Sequence, residues 1–293
     1  MNNPGSLTSR TVLATLHTRL WTGIRRDHTI TEEICEEKKA SRKAIRANKS
    51  LVGDEIKPLR RAERNLREVF RRNTLAWNDD ATRILKASVF KEFRHKMTEP
   101  LSQFRAEIDK FIEIYPTVIE NARSHLGQAW SLDDYPSNAQ IKACFGVSLT
   151  FSPLPQADNN DFRASMSAEE VEIIRNSVEA QLRQTMENAN TEILERLRAP
   201  LIRYAERLKI YHRDENGTEN HFRDSLVDNI KAIVELAPKL NITDNPTINN
   251  LCEMIKRDIA VHDPDSLRHD QALRHESCLR AKEIVEEINA LGF

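Results

Sequence analysis

The chain has 293 residues, enough for one large or two modest domains, and only 7 of them are glycine. Helices avoid glycine, which costs about 1 kcal/mol relative to alanine inside them. This scarcity, with 39% apolar and 30% charged residues, argues against a sheet-dominated fold and for a mostly helical protein with much surface. The net charge of −1 hides a division: residues 1–110 hold 24 Lys/Arg and 15 Asp/Glu, and the rest hold 20 and 30.

Residues 1–9 are polar, lack the apolar core of a signal peptide and are expected to form a flexible tail. Val12, Leu13, Leu16 and Leu20 predict a first helix over residues 8–22. A capping-box spacing at residues 29–32 opens a second helix over 30–52, apolar only at Ile30, Ile34, Ile45, Leu51 and Val52. Leu59, Ala62, Leu66, Val69 and Phe70 give a third helix ending near Arg72. Trp77 lies in a connector. Ile84, Leu85, Val89, Phe93 and Met97 mark a fourth helix, and residues 101–115 a fifth, which Pro116 ends or kinks.

Residues 128–165 change character, with a short helix after Pro136 and a strand-like alternation over 146–151. A single strand cannot form a sheet, so a hairpin or a strand added to another chain is expected there. The capping box of Ser167 and Glu170 then opens a long helix with Val171, Ile174, Val178, Leu182, Met186, Ile193 and Leu197 in one stripe. Its ~45 Å outreaches a small domain, so these seven residues form a candidate assembly stripe. A turn at residues 214–217 and three helices, over 222–236, 247–260 and 266–290, complete the chain.

The fold class read from this pattern is mainly α: an elongated bundle of long antiparallel helices with at most a small β element near 146–151. Four regions are expected, at 1–9, 10–127, 128–165 and 166–293, built as one continuous unit. No apolar run approaches the ~18 residues of a membrane-spanning helix.

Lys39, Arg42, Lys43, Arg46 and Lys49 on the second helix, with Arg60, Arg64, Arg67 and Arg71 on the third, form a candidate electropositive contact surface. The four arginines recur at i, i+4, i+7 and i+11, away from the apolar face. Such a row can neutralise successive phosphates without reading sequence, can dock an acidic protein, or can remain a solvated face paired with nearby acids. All three readings stay open.

Catalytic signatures are absent. No phosphate-binding glycine loop or local nucleophile motif occurs, and no cofactor or small-molecule substrate is inferred. His262, His269, His275 and Cys278 lack the i, i+4 spacing of helical zinc ligands, and the four cysteines form no C-x-x-C pair, so reduced thiols are expected. Paired Asp79 and Asp80 read as helix-capping acids.

Residues 20–23 (LWTG), 72–77 (RNTLAW), 83–85 (RIL), 135–136 (YP), 222–229 (FRDSLVDN), 240–242 (LNI) and 244–246 (DNP) resemble a bacterial, phage and mobile-element family filed as domain of unknown function 3150. The chain departs from the family pattern at Ala76, where a proline is usual. The resemblance implies a mostly α protein without an established activity, often encoded beside a MoxR- or CobS-like AAA+ ATPase and a von Willebrand-type domain protein. It supplies no catalytic residues. It raises an assembly role with an AAA+ ATPase as a candidate partner. Joined to the reduced thiols, the absent catalytic motifs and the long apolar stripe, it leads to the expectation of a cytoplasmic, oligomeric, non-enzymatic scaffold or adaptor of a bacterial cell or infected host. The alternative is a sequence-independent nucleic-acid-binding accessory protein using the basic helices. A dispersed active site remains a third reading.

Overall fold

The computed structural model describes residues 7–77, 81–155, 167–211 and 223–291. Most of the 1–9 tail, Asp79 and Asp80, and the turn at 214–217 lie outside these residues. The fold is mainly α, with 70% of the described residues helical and a small antiparallel sheet.

In chain order the elements are β1 (Thr11–Arg19), β2 (Ile24–Asp27), α1 (His28–Glu37), β3 (Ala47–Ser50), α2 (Lys57–Arg72), β4 (Leu75–Ala76), β5 (Thr82–Lys86), α3 (Phe90–Leu126), α4 (Asn138–Ala143) and β6 (Gly146–Ser152). There follow α5 (Ala168–Ile210), α6 (Ser225–Leu240), α7 (Pro246–Ile255), a π-helical segment (Lys256–Ala260), α8 (Pro264–His269) and α9 (Gln271–Ala290). One sheet has the order β4-β5-β1-β6, and β2 and β3 form a separate antiparallel ribbon in which Ile24 faces Ser50 and Asp27 faces Ala47.

The chain divides into two compact units that interleave in sequence. The first holds Met1–Ala14, Asn73–Lys91 and Phe151–Phe293; the second holds Thr15–Arg72 and Glu92–Thr150.

In the first unit, α6 and α9 pack on α5. The core includes Ile193, Leu197, Leu201, Tyr204 and Leu208 of α5, Ile230 and Val234 of α6, Leu251 and Ile255 of α7, and Ile284 and Ile288 of α9. The helix α5 begins at the predicted capping box, where Ser167 accepts from the Glu170 N–H and Glu170 from that of Ser167. It then runs through Pro200 without a break for 43 residues. A proline costs about 3 kcal/mol inside a helix. Burial of each large side chain around it returns about 1.5–3 kcal/mol, and Ile193, Leu194, Leu197, Leu201 and Tyr204 are all buried.

In the second unit, α3 likewise continues through Pro100 and Pro116, so the predicted fourth and fifth helices are one. Its buried face carries Phe93, Met97, Phe104, Phe111, Tyr115 and Val118. Trp21 meets Tyr115 edge-on at 5.8 Å, Phe111 meets Phe145 at 5.6 Å and Phe93 meets Phe70 of α2 at 6.2 Å. The Tyr115 hydroxyl donates to the Pro136 carbonyl at 2.9 Å, and burial pushes its pKa up to about 12. Gly23, at φ +63°, turns the chain between β1 and β2; a Cβ there would stand 2.2 Å from Cγ1 of Val52.

The β content exceeds the single element expected at 146–151, and the strand there is not isolated but lies beside β1. The helix predicted over 8–22 is β1. Thr11, Leu13, Ala14 and Leu16 are all buried, so both faces of the strand are covered and the alternation that marks a half-buried strand is lost. The helix predicted over 30–52 stops at Glu37. It starts earlier too, with Asp27 as N-cap accepting from the Ile30 N–H. Lys39, in the left-handed region at φ 51°, turns the chain away, and residues 47–50 become β3. Ile84 and Leu85 belong to β5 rather than a helix. Among the described residues, no helix is long and apolar enough to cross a membrane.

Candidate electropositive contact surface

The charge division follows the units. The second holds 22 Lys/Arg and 17 Asp/Glu, the first 22 and 28. Within the second unit, α2 buries Leu59, Leu66 and Phe70, which fixes the direction of its arginines. Arg60, Arg64 and Arg71 are exposed. Arg60 also donates to the Thr22 carbonyl at 2.8 Å. Arg67 is only half-exposed: it pairs with Glu63 and donates to Thr18 Oγ1, so it braces α2 against the end of β1.

The other five basic residues are not on a helix. Lys39, Arg42 and Lys43 lie in the exposed turn after α1, and Arg46 precedes β3. Arg42 pairs with Glu32 at 3.1 Å. Lys49 points inward. Its side chain is 12% exposed and its Nζ lies 3.0 Å from Asp27 Oδ2, 2.5 Å from Asp134 Oδ2 and 2.9 Å from the Ala129 carbonyl. The Asp134 carboxylate, and then Asp27, raise the Lys49 pKa; the Ile30 N–H, and then Lys49, lower that of Asp27. Lys49 therefore joins β3, the start of α1 and the 129–134 turn, and is withdrawn from any outer surface.

Between α2 and α3 runs an open groove of about 640 Å³, lined by Pro58, Arg61, Ala62, Arg64, Asn65, Glu68, Gln103 and Glu107. Arg61, Arg64 and Glu68 make no hydrogen bond or ion pair among the described residues. Glu107 accepts from Lys110 at 2.7 Å and Gln103 donates to Glu99 at 2.7 Å. Arg61 stands outside the i, i+4, i+7, i+11 row. Its spacing to Asn65 and Glu68 (i, i+4, i+7) is the signal that could have placed it on a second face of the same helix.

The assembly stripe divides along its length. Leu182, Ile193 and Leu197 are buried in the core of the first unit, while Val178 and Met186 pack at its edge. Val171 and Ile174 are half-buried near the start of α5, where Ile173 is 63% exposed. A second pocket, of about 390 Å³, lies beside α5 and is lined by Arg183, Met186, Glu187, Asn190, Thr243, Asn245 and Pro246.

The remaining polar clusters serve packing. Arg83, buried on β5, donates to Thr74 and Glu192, and Glu192 also receives Arg196 and the Ala76 N–H. Asp244 holds Arg10 and Lys86. Asn241 donates to the Asn245 carbonyl, and Thr243 to Asn190. Many stretches that carry the family resemblance thus supply internal ties. Cys278 donates to the Ala205 carbonyl, and burial raises the Cys252 pKa to about 11, which disfavours a thiolate. Among the described residues no group of three His, Cys, Asp or Glu side chains is placed to hold a metal.

Comparisons with protein-family models, with curated proteins and with solved structures gave no match.

Proposed function

We propose that this protein is a scaffold or adaptor that works by docking, with the exposed basic groups of α2 as its contact surface. The observation that carries this reading is the pair Arg61 and Arg64: two adjacent guanidiniums in an open groove, without a partner among the described residues. A charged group left in water on one helix face is ready to be neutralised by another molecule. Glu68 and Glu107 share the groove, which suits a mixed-charge protein surface better than an unbroken run of phosphates. The wider setting, a cytoplasmic component of a phage or mobile element working beside an AAA+ ATPase, rests on the resemblance to domain of unknown function 3150.

The test is purification of the tagged protein from its native host, wild type beside Arg61→Gln/Arg64→Gln. A chain that co-purifies with the wild type and is lost from the variant supports the reading. Equal recovery of every co-purifying chain contradicts it.

A second reading is favoured by Arg60, Arg64 and Arg71, which share one exposed face and could follow a nucleic-acid backbone. It requires binding to labelled single- or double-stranded nucleic acid that weakens steeply with salt and varies little with sequence.

A further inference from the structure

The helix α9 carries the counterpart of the basic row on α2. Glu276, Glu283, Glu286 and Glu287 are exposed along one side of α9, at i, i+7, i+10 and i+11, with Leu279, 47% exposed, among them. Glu276, Glu286 and Glu287 make no hydrogen bond or ion pair among the described residues; Glu283 meets only Arg280, at 2.8 Å. The last turn of α9 contains no basic residue, so Glu287 there opposes the helix dipole, an arrangement that an approaching cation relieves.

The two rows match in length and in register. Eleven residues separate Arg60 from Arg71 and Glu276 from Glu287, about 16 Å along either helix. Set antiparallel, Arg60 falls opposite Glu287, Arg64 opposite Glu283 and Arg71 opposite Glu276. The fourth position brings Arg67 against Arg280. Both of those arginines are paired with carboxylates within their own units, Arg67 with Glu63 and Arg280 with Asp258 and Glu283. The like-charged position is thus neutralised from within on both sides.

We propose that the partner of the basic face is a second copy of this chain, whose α9 lies antiparallel along α2. This rests on the docking reading above and names its occupant. Each copy presents one basic and one acidic row, so two copies can exchange both contacts as a two-fold dimer or use one and link head-to-tail. A head-to-tail series would close into a ring or extend into a filament. Exposed ion pairs are individually weak and screened by salt, so association is expected only on the order of 10⁻⁴ M at low ionic strength.

Sedimentation equilibrium of the full chain tests this, at low and at ~0.5 M salt. The variants are Arg60→Glu/Arg64→Glu/Arg71→Glu and Glu276→Lys/Glu283→Lys/Glu287→Lys, each checked for native circular dichroism. The wild type should gain mass with concentration at low salt and revert to monomer at high salt. Each reversal alone should weaken self-association at least tenfold, and an equimolar mixture of the two should restore it. If a reversal unfolds, the corresponding Gln variants replace it and must each weaken association. A wild type that stays monomeric, a reversal that associates like the wild type, or a mixture that stays monomeric overturns the proposal. A monomeric wild type that still loses a co-purifying chain on Arg61→Gln/Arg64→Gln would overturn this inference alone and leave the docking reading standing.

Discussion

Lys49 shows how far a single side chain can depart from its apparent role. Its sequence neighbours are surface cations, yet it is the cation between Asp27 and Asp134. Replacing it with methionine leaves two nearly buried carboxylates facing each other, at a cost of about 3 kcal/mol. The deficit relative to wild type should be largest near pH 7 and shrink below about pH 5, as protonation removes the uncompensated charge. Urea unfolding across that range measures it. Asp258 gives a second acid-sensitive tie. Bonds from Arg257, and then Arg280, hold its pKa near 2. A depressed carboxylate adds stability above its unfolded value near 4 and loses it as pH falls towards 2. Asp258→Asn should therefore cost about 1–2 kcal/mol at neutral pH, with allowance for the exposed Arg257, and almost nothing at pH 2. A variant that melts with the wild type at pH 7 would show the pair to be ornamental.

At the scale of elements, the long helices were legible and the strands largely were not. The capping box at Ser167 and the apolar stripe behind it mark the start of α5 directly, because both signals are local. Ser167→Ala should cost about 1 kcal/mol of local stability, read as faster amide exchange in the first turns of α5 with little change in the global melt. β1 was hidden because its coverage on two faces erases alternation; Thr11, Val12, Thr15 and Thr18, all β-branched, were the available clue. β3 carries Ala47, Asn48, Lys49 and Ser50, with no apolar pattern at all, and its pairing with β2 is made across an intervening helix. The candidate surface divides in the same way. The exposure of Arg64 follows from its distance from the buried face of α2. The pairing of Arg67 with Glu63 is local, at i, i+4, but its bond to Thr18, 49 residues away, is one that no local spacing reveals. The acidic row on α9 was readable in its spacing, but it gains meaning only beside a basic row of equal length.

At the scale of the molecule, the second unit keeps its aromatic core within one stretch of chain. Trp21, Phe70, Phe93, Phe111, Tyr115 and Phe145 all precede residue 150. A fragment of residues 1–155 should retain helical circular dichroism and a cooperative melt, at lower stability than the whole protein because residues 73–91 lose their partners in the first unit. A fragment with a random-coil spectrum and no transition would mean that the second unit depends on the first for its fold.

The interleaving of the units also sets a timetable on the ribosome. The second unit is fully synthesised once residue 150 has emerged, whereas Leu7 and Leu13 belong to a core completed by Ile284 and Ile288. At ordinary rates of translation, the remaining half of the chain takes on the order of ten seconds to appear. For that interval the earliest segment of the first unit is tethered to a finished neighbour while its own partners do not yet exist. The slow, long-range closure that follows makes nascent chains, rather than mature protein, the population most exposed to chaperones and to capture by other chains.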